Sequence, residues 1–193
     1  MTTKQIEQIF VDIIKTCMSL PDNYGTTSTG DVIPSVIIYA QNIKLFNTNK
    51  LQITVRTARM HVYSSRSEVK ELEDEKGDTY FVEIQDLNVQ RMMQIDCYSR
   101  NVEARNRFWE VAAALKSDYA NQQMDLYNFK IGNITDSYNT SGLDGGSDIN
   151  RFTTTFNVLS HEQKITPINY YDQFGVTAET ESGEFANINN YND

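Results

Sequence analysis

Few residues of this chain could carry covalent or metal chemistry, and they are scattered. The two histidines, His61 and His161, fall in no spacing used by a zinc site or a nucleophile motif, and both read as bystanders. Cys17 and Cys97 occupy apolar positions of a helix and a strand and read as reduced, buried residues, not as a disulfide or a reactive thiol. Asp144-Gly-Gly-Ser-Asp148 lacks the acidic spacing and closing Glu of an EF-hand and reads as a flexible linker. Glu71, Glu73, Asp74 and Glu75 cluster, but on an exposed loop nothing desolvates them, so a solvated face is expected. Phosphate-binding glycine motifs and the nucleophile elbow are missing from the chain. The expectation is a protein that is not an enzyme, with no catalytic residue, cofactor or metal.

The remaining polar pattern points to association. Arg56 and Arg59 lie near the middle of a strand-like segment, across from Glu83, Asp86 and Asn88 of a second one. They read either as cross-strand ion pairs or as charges that select a neighbouring subunit. The net charge of -9 argues against a nucleic-acid grip and is compatible with a surface past which nucleic acid slides. No stretch approaches the roughly 18 apolar residues of a membrane span, and the first segment carries Glu7, Gln8, Asp12 and Lys15, unlike a secretion signal.

The elements that position these residues follow from periodicity. Ile6, Ile9, Phe10, Ile13 and Cys17 predict an amphipathic helix that stops before Pro21. A strand is expected over 35–40. In Leu51–Tyr63 the apolar residues shift from odd positions (Leu51, Ile53, Val55) to even ones (Ala58, Met60, Val62). In Tyr80–Tyr98 they shift from even (Tyr80, Val82, Ile84) to odd (Leu87, Val89, Met93, Ile95, Cys97). A change of parity along a strand means a change of face. Folded as one antiparallel hairpin with Val55 facing Leu87, Ala58 facing Ile84 and Val62 facing Tyr80, the segments form a ribbon with apolar patches on opposite faces. At about 3.3 Å per residue the ribbon runs roughly 43 Å and projects. Its tip, 64–78, reads as a charged loop, or as a short helix over 68–75.

A second helix follows, with Asn101 as N-cap and a buried stripe of Ala104, Phe108, Ala112, Leu115 and Tyr119 widened by Trp109 and Val111. Strands are expected over 126–135 and 151–161, with a long mobile loop over 136–150. The fold class is α+β: a mostly antiparallel sheet with two helices packed on one face and a long projecting hairpin, in the order α-β-β-β-α-β-β. Residues 1–164 form one domain that includes the hairpin 51–98. Residues 165–193, without a basic residue, form an acidic extended or disordered arm. Within that arm Tyr170, Tyr171 and Phe174 are candidate anchors on this chain or a neighbour.

The junction Gln94-Ile-Asp-Cys-Tyr-Ser99, followed by Asn101-Val-Glu-Ala-Arg-Asn-Arg-Phe-Trp-Glu-Val-Ala-Ala-Ala-Leu115, resembles the strand-to-helix junction of tailed-bacteriophage neck and tail terminator proteins. Arg151-Phe-Thr-Thr-Thr-Phe-Asn-Val-Leu159 is similar to that family's closing strand, and the first helix fits its order of elements over 4–162. The resemblance implies a virion structural protein, assembled in the host cytoplasm and resident in the neck or tail. It implies a homo-oligomeric ring, usually hexameric, that touches the tail tube protein on one side and head-connector or neck proteins on the other. DNA passes through the lumen without sequence-specific binding, and no membrane is involved. The long hairpin and acidic arm depart from the short family members. The candidate interface comprises Arg56, Ala58, Arg59, Met60, Val62, Tyr80, Val82, Glu83 and Ile84, with the three aromatic residues of the arm. The alternatives are an adaptor or binding module that pairs through the hairpin, another tail or baseplate structural protein, and an enzyme with an unrecognised site.

Overall fold

The computed structural model describes residues 5–38, 49–73, 77, 79–144, 147–168, 176–179 and 185–188. The protein is α+β, with a mostly antiparallel sheet. Its elements are α1 (Ile6–Cys17), β1 (Asn23–Thr26), β2 (Val32–Pro34), β3 (Val36–Ile38), β4 (Gln52–Glu73), β5 (Thr79–Ser99), α2 (Glu103–Arg107), α3 (Trp109–Leu115), α4 (Asp118–Tyr127), β6 (Phe129–Ile134), β7 (Tyr138–Asn139), β8 (Gly142–Asp144), β9 (Ser147–Ile168), β10 (Val176–Glu179) and β11 (Phe185–Ile188). A seven-stranded sheet has the order β3-β4-β5-β9-β6, with β7 and β8 also pairing β9. β3 runs parallel to β4, joining Val36 to Ile53 and Ile38 to Val55. The chain divides into two compact units, 1–65 with 87–162 and 66–86 with 163–193.

The first unit holds the main core. The expected stripe of α1 buries Ile9, Phe10, Ile13 and Ile14 against Leu51, Ile53 and Val55 of β4, Met93, Ile95 and Cys97 of β5, and Phe156 and Val158 of β9. Phe10 meets Phe129 and Phe156 edge-on, with ring centroids 5.6 and 5.1 Å apart. Each such pair adds about 0.5–1.5 kcal/mol beyond area burial.

The helices number four among the described residues, not two. The expected second helix, with its stripe from Ala104 to Tyr119, is broken into α2, α3 and the start of α4, and α4 runs two residues into the strand expected over 126–135. Ser117 caps α4 by accepting from the Ala120 N–H at 3.1 Å. Asn128, in the left-handed region at φ 51°, ends it, so Leu126 and Tyr127 are helical and β6 begins at Phe129. At the junction before α2, Val102 occupies the N-cap, while Asn101 Oδ1 accepts from Glu103 N–H and Ser99 Oγ from Ala104 N–H, each at 2.9 Å. Trp109 is not in the buried stripe: it is 59% exposed, with its indole N–H on the Asn106 carbonyl.

The stretch expected as a mobile loop carries β7 and β8, both paired to β9. Its Ser and Thr residues lock it there: Arg151 N–H donates to Ser141 Oγ at 3.0 Å and Thr140 N–H to the Arg151 carbonyl at 2.8 Å. A small β1–β2 hairpin was also not foreseen.

The second unit contains the distal parts of β4 and β5, the end of β9, and the β10–β11 hairpin, in which Val176 pairs Ile188 and Glu179 pairs Phe185. Two corrections follow. The charged segment 64–73 is strand, because the paired backbone of β4 needs no apolar alternation to continue. Residues 165–168 belong to β9, and 176–179 and 185–188 are paired strand, not an extended arm. Val82 and Ile84 are buried here, at 1% and 8% exposure.

Candidate assembly surface

β4 and β5 are neighbours, as expected, but in another register. Thr54 contacts Asp96, Arg56 donates to Gln94 at 2.8 Å, and Thr57 reaches Met93 at 3.3 Å. Position 54 was expected opposite 88, so the register is displaced by eight residues (96 − 88 = 8). Arg56 thus donates to the Gln94 side-chain amide of β5. Asn88 meets Ser64 at 3.0 Å instead.

The sides of β4 are marked by what its side chains meet. Arg56 shares a side with the even positions of β5 through Gln94. Arg59 and His61 line a cavity of about 280 Å³ with Gln90 and Met92 of β5 and Asn157 of β9, and so stand on that same side. Ser64, an even position like Arg56, also stands on that side, since Asn88 of β5 donates to its hydroxyl. Helix cover ends near Thr57, whose hydroxyl donates to Glu7 in the first turn of α1 at 2.6 Å. Beyond it Met60 is 59% and Val62 42% exposed, and Ala58 is exposed as well.

The expected interface residues therefore separate. Arg59, Ala58, Met60 and Val62 are exposed in the first unit, and Arg56 is half-buried there. Tyr80 is exposed in the second unit, Glu83 is half-buried, and Val82 and Ile84 are core, which removes the last two from a free surface. Tyr170, Tyr171 and Phe174 lie outside the described residues. Tyr63, 52% exposed, and Met92, 38% exposed, were missed. The adjacent Met92 and Met93 carried a signal, since neighbours on a strand cannot both face the core.

Past Val55, β4 has no partner on its outer side among the described residues. Exposed apolar side chains and an unpaired edge on one strand are the combination that invites another chain.

The polar side of the sheet is built around Asp96, only 3% exposed. Arg151 donates to it at 2.8 Å, Thr153 at 2.5 Å and Gln94 at 3.0 Å. Burial alone would push its carboxyl up. The hydrogen bonds from Arg151, Thr153 and Gln94, with the guanidinium charge, outweigh burial and hold it below the usual carboxylate value. Burial pushes the Cys97 thiol and the Tyr98 phenol well up, so neither ionises near neutrality. Both cysteines are free, and Cys17 Sγ lies 3.2 Å from Ser117 Oγ. No group of three His, Cys, Asp or Glu side chains placed to hold a metal occurs among the described residues. No helix among the described residues is long and apolar enough to cross a membrane. No family model matches the chain, and no curated protein matches it.

Proposed function

We propose that this chain is a virion structural protein of the tail terminator or neck type. Copies close into a ring, cap the tail tube and join it to the head connector, and DNA passes through the lumen. The observation that carries the reading is the outer stretch of β4, where Met60, Val62 and Tyr63 stand in solvent beside an edge that no described strand covers. An isolated copy leaves this surface wet, and a head-to-tail contact repeated around a circle covers it in every copy. The resemblance at 94–115 and 151–159, and the α+β order around it, supply the kind of assembly. The net charge of -9 suits a wall that DNA must pass without adhering.

The test is electron microscopy and light scattering of the protein alone and with purified tail tubes. Wild type forms rings or caps tubes, and Met60→Asp stays folded by circular dichroism but does neither. Normal rings from Met60→Asp remove this surface from the contact. Val82→Asp is not an equivalent probe, because Val82 is core, and it unfolds its surroundings.

The bare edge of β4 also favours a second reading, a monomeric module that adds its strand to a partner's sheet. Such a module stays monomeric on tubes and at every concentration.

A further inference from the structure

The cavity beside Arg59 carries an inference that rests on the ring reading and gives it a specific contact. Arg59 and His61 are exposed and stand two residues apart on one side of β4, over a floor of Gln90, Met92 and Asn157. Among the described residues no carboxylate lines this cavity, and neither side chain has a hydrogen bond or an ion pair. In a chain of net charge -9, Arg59 is a cation with no carboxylate partner among the described residues.

Its complement lies at the far end of the same strand. Glu68 and Lys70 pair at 2.5 Å on one side of β4. Alternation puts Val69, Glu71 and Glu73 on the other side, all exposed, and neither glutamate has an ion pair among the described residues. The carboxylates at 71 and 73 are spaced as the Arg59 and His61 side chains are, roughly 7 Å apart along a strand, so a carboxylate facing Arg59 leaves the other to accept a hydrogen bond from the imidazole. Val69, 57% exposed, then has Met92, 38% exposed, as an apolar counterpart. Both sets belong to one strand, so every copy carries one of each.

We propose that the Val69–Glu71–Glu73 side of β4 in one copy docks on the Arg59–His61 cavity of the next. The two surfaces differ, so the contact is heterologous and propagates head to tail, which is what a ring needs. Charges matched across an interface fix register and reject wrong partners.

The experiment uses two full-length variants, Arg59→Glu and the double substitution Glu71→Arg with Glu73→Arg, followed by sedimentation velocity in low salt. All the altered positions are exposed, so both variants fold. Each variant alone associates at least about tenfold more weakly than wild type, because every contact sets like charges together. An equimolar mixture recovers wild-type assembly, since each mixed contact pairs opposite charges. Recovery identifies a second copy as the occupant, which a different protein or a small anion in the cavity does not produce. Single variants that assemble like wild type, or a mixture that stays dissociated, overturn the contact and leave the ring reading standing. Wild type that remains monomeric both alone and on tail tubes overturns both.

Discussion

At Asp96 two opposed effects meet, and the outcome can be measured. Its folded value lies below the unfolded carboxylate value of about 3.9. A carboxylate of that kind contributes stability that is fully present above the unfolded value and is lost as pH falls through the folded one. Urea midpoints of the wild type should therefore fall steeply below about pH 4, while Asp96→Asn falls less steeply over the same range. At pH 7 the variant should be less stable by about 1.5–3 kcal/mol, the usual worth of hydrogen bonds to a buried charge. Parallel pH profiles for the two proteins would show that the Arg151 and Thr153 contacts do not set acid stability. The sequence made Asp96 visible as one residue of a strand-to-helix junction. It could not show Arg151 as its partner, because the two meet through the β5–β9 pairing and are far apart in the chain.

Among elements, α1 was legible because its apolar spacing matches the helical period over its whole length, and burial of Ile9, Phe10 and Ile13 follows. The same reasoning failed at Trp109. Five positions beyond Ala104 it lies about 140° around a helix, on the flank of the buried stripe and not in it. Phe10→Ala should then cost about 3–5 kcal/mol in urea unfolding. Trp109→Ala should change stability by less than about 0.5 kcal/mol, as an exposed substitution does. Comparable losses for the two would contradict the placement of Trp109. In β4 and β5, apolar alternation identified both strands and made them neighbours. It misplaced their register because the register is set toward the turn, and the charged stretch 64–73 has no hydrophobic pattern to reveal that it is strand.

For the molecule as a whole, the uneven distribution of core sets an order of stability. Every residue of the main hydrophobic cluster belongs to the first unit, whereas Val82 and Ile84 are the buried apolar side chains described in the second. Local opening costs little where few apolar contacts must be broken, and it approaches the global free energy where many must. β5 passes through both units, so one strand should show two levels of protection in native-state hydrogen exchange. Amides at Met93, Ile95 and Cys97 should exchange only with global unfolding, and those at 79–86 several kcal/mol more readily. Assembly changes this pattern. If Glu71 and Glu73 are held by the next copy, protection over 66–73 and 79–86 rises in the ring while that at 93–97 stays near its global limit, because a partner stabilises most the segment that opens most easily. Equal protection along the whole of β5 in the monomer, or no gain at 66–73 on assembly, would mean that the second unit draws its order from inside a single copy. The reason for placing the acidic end of β4 in the contact between copies would then be gone.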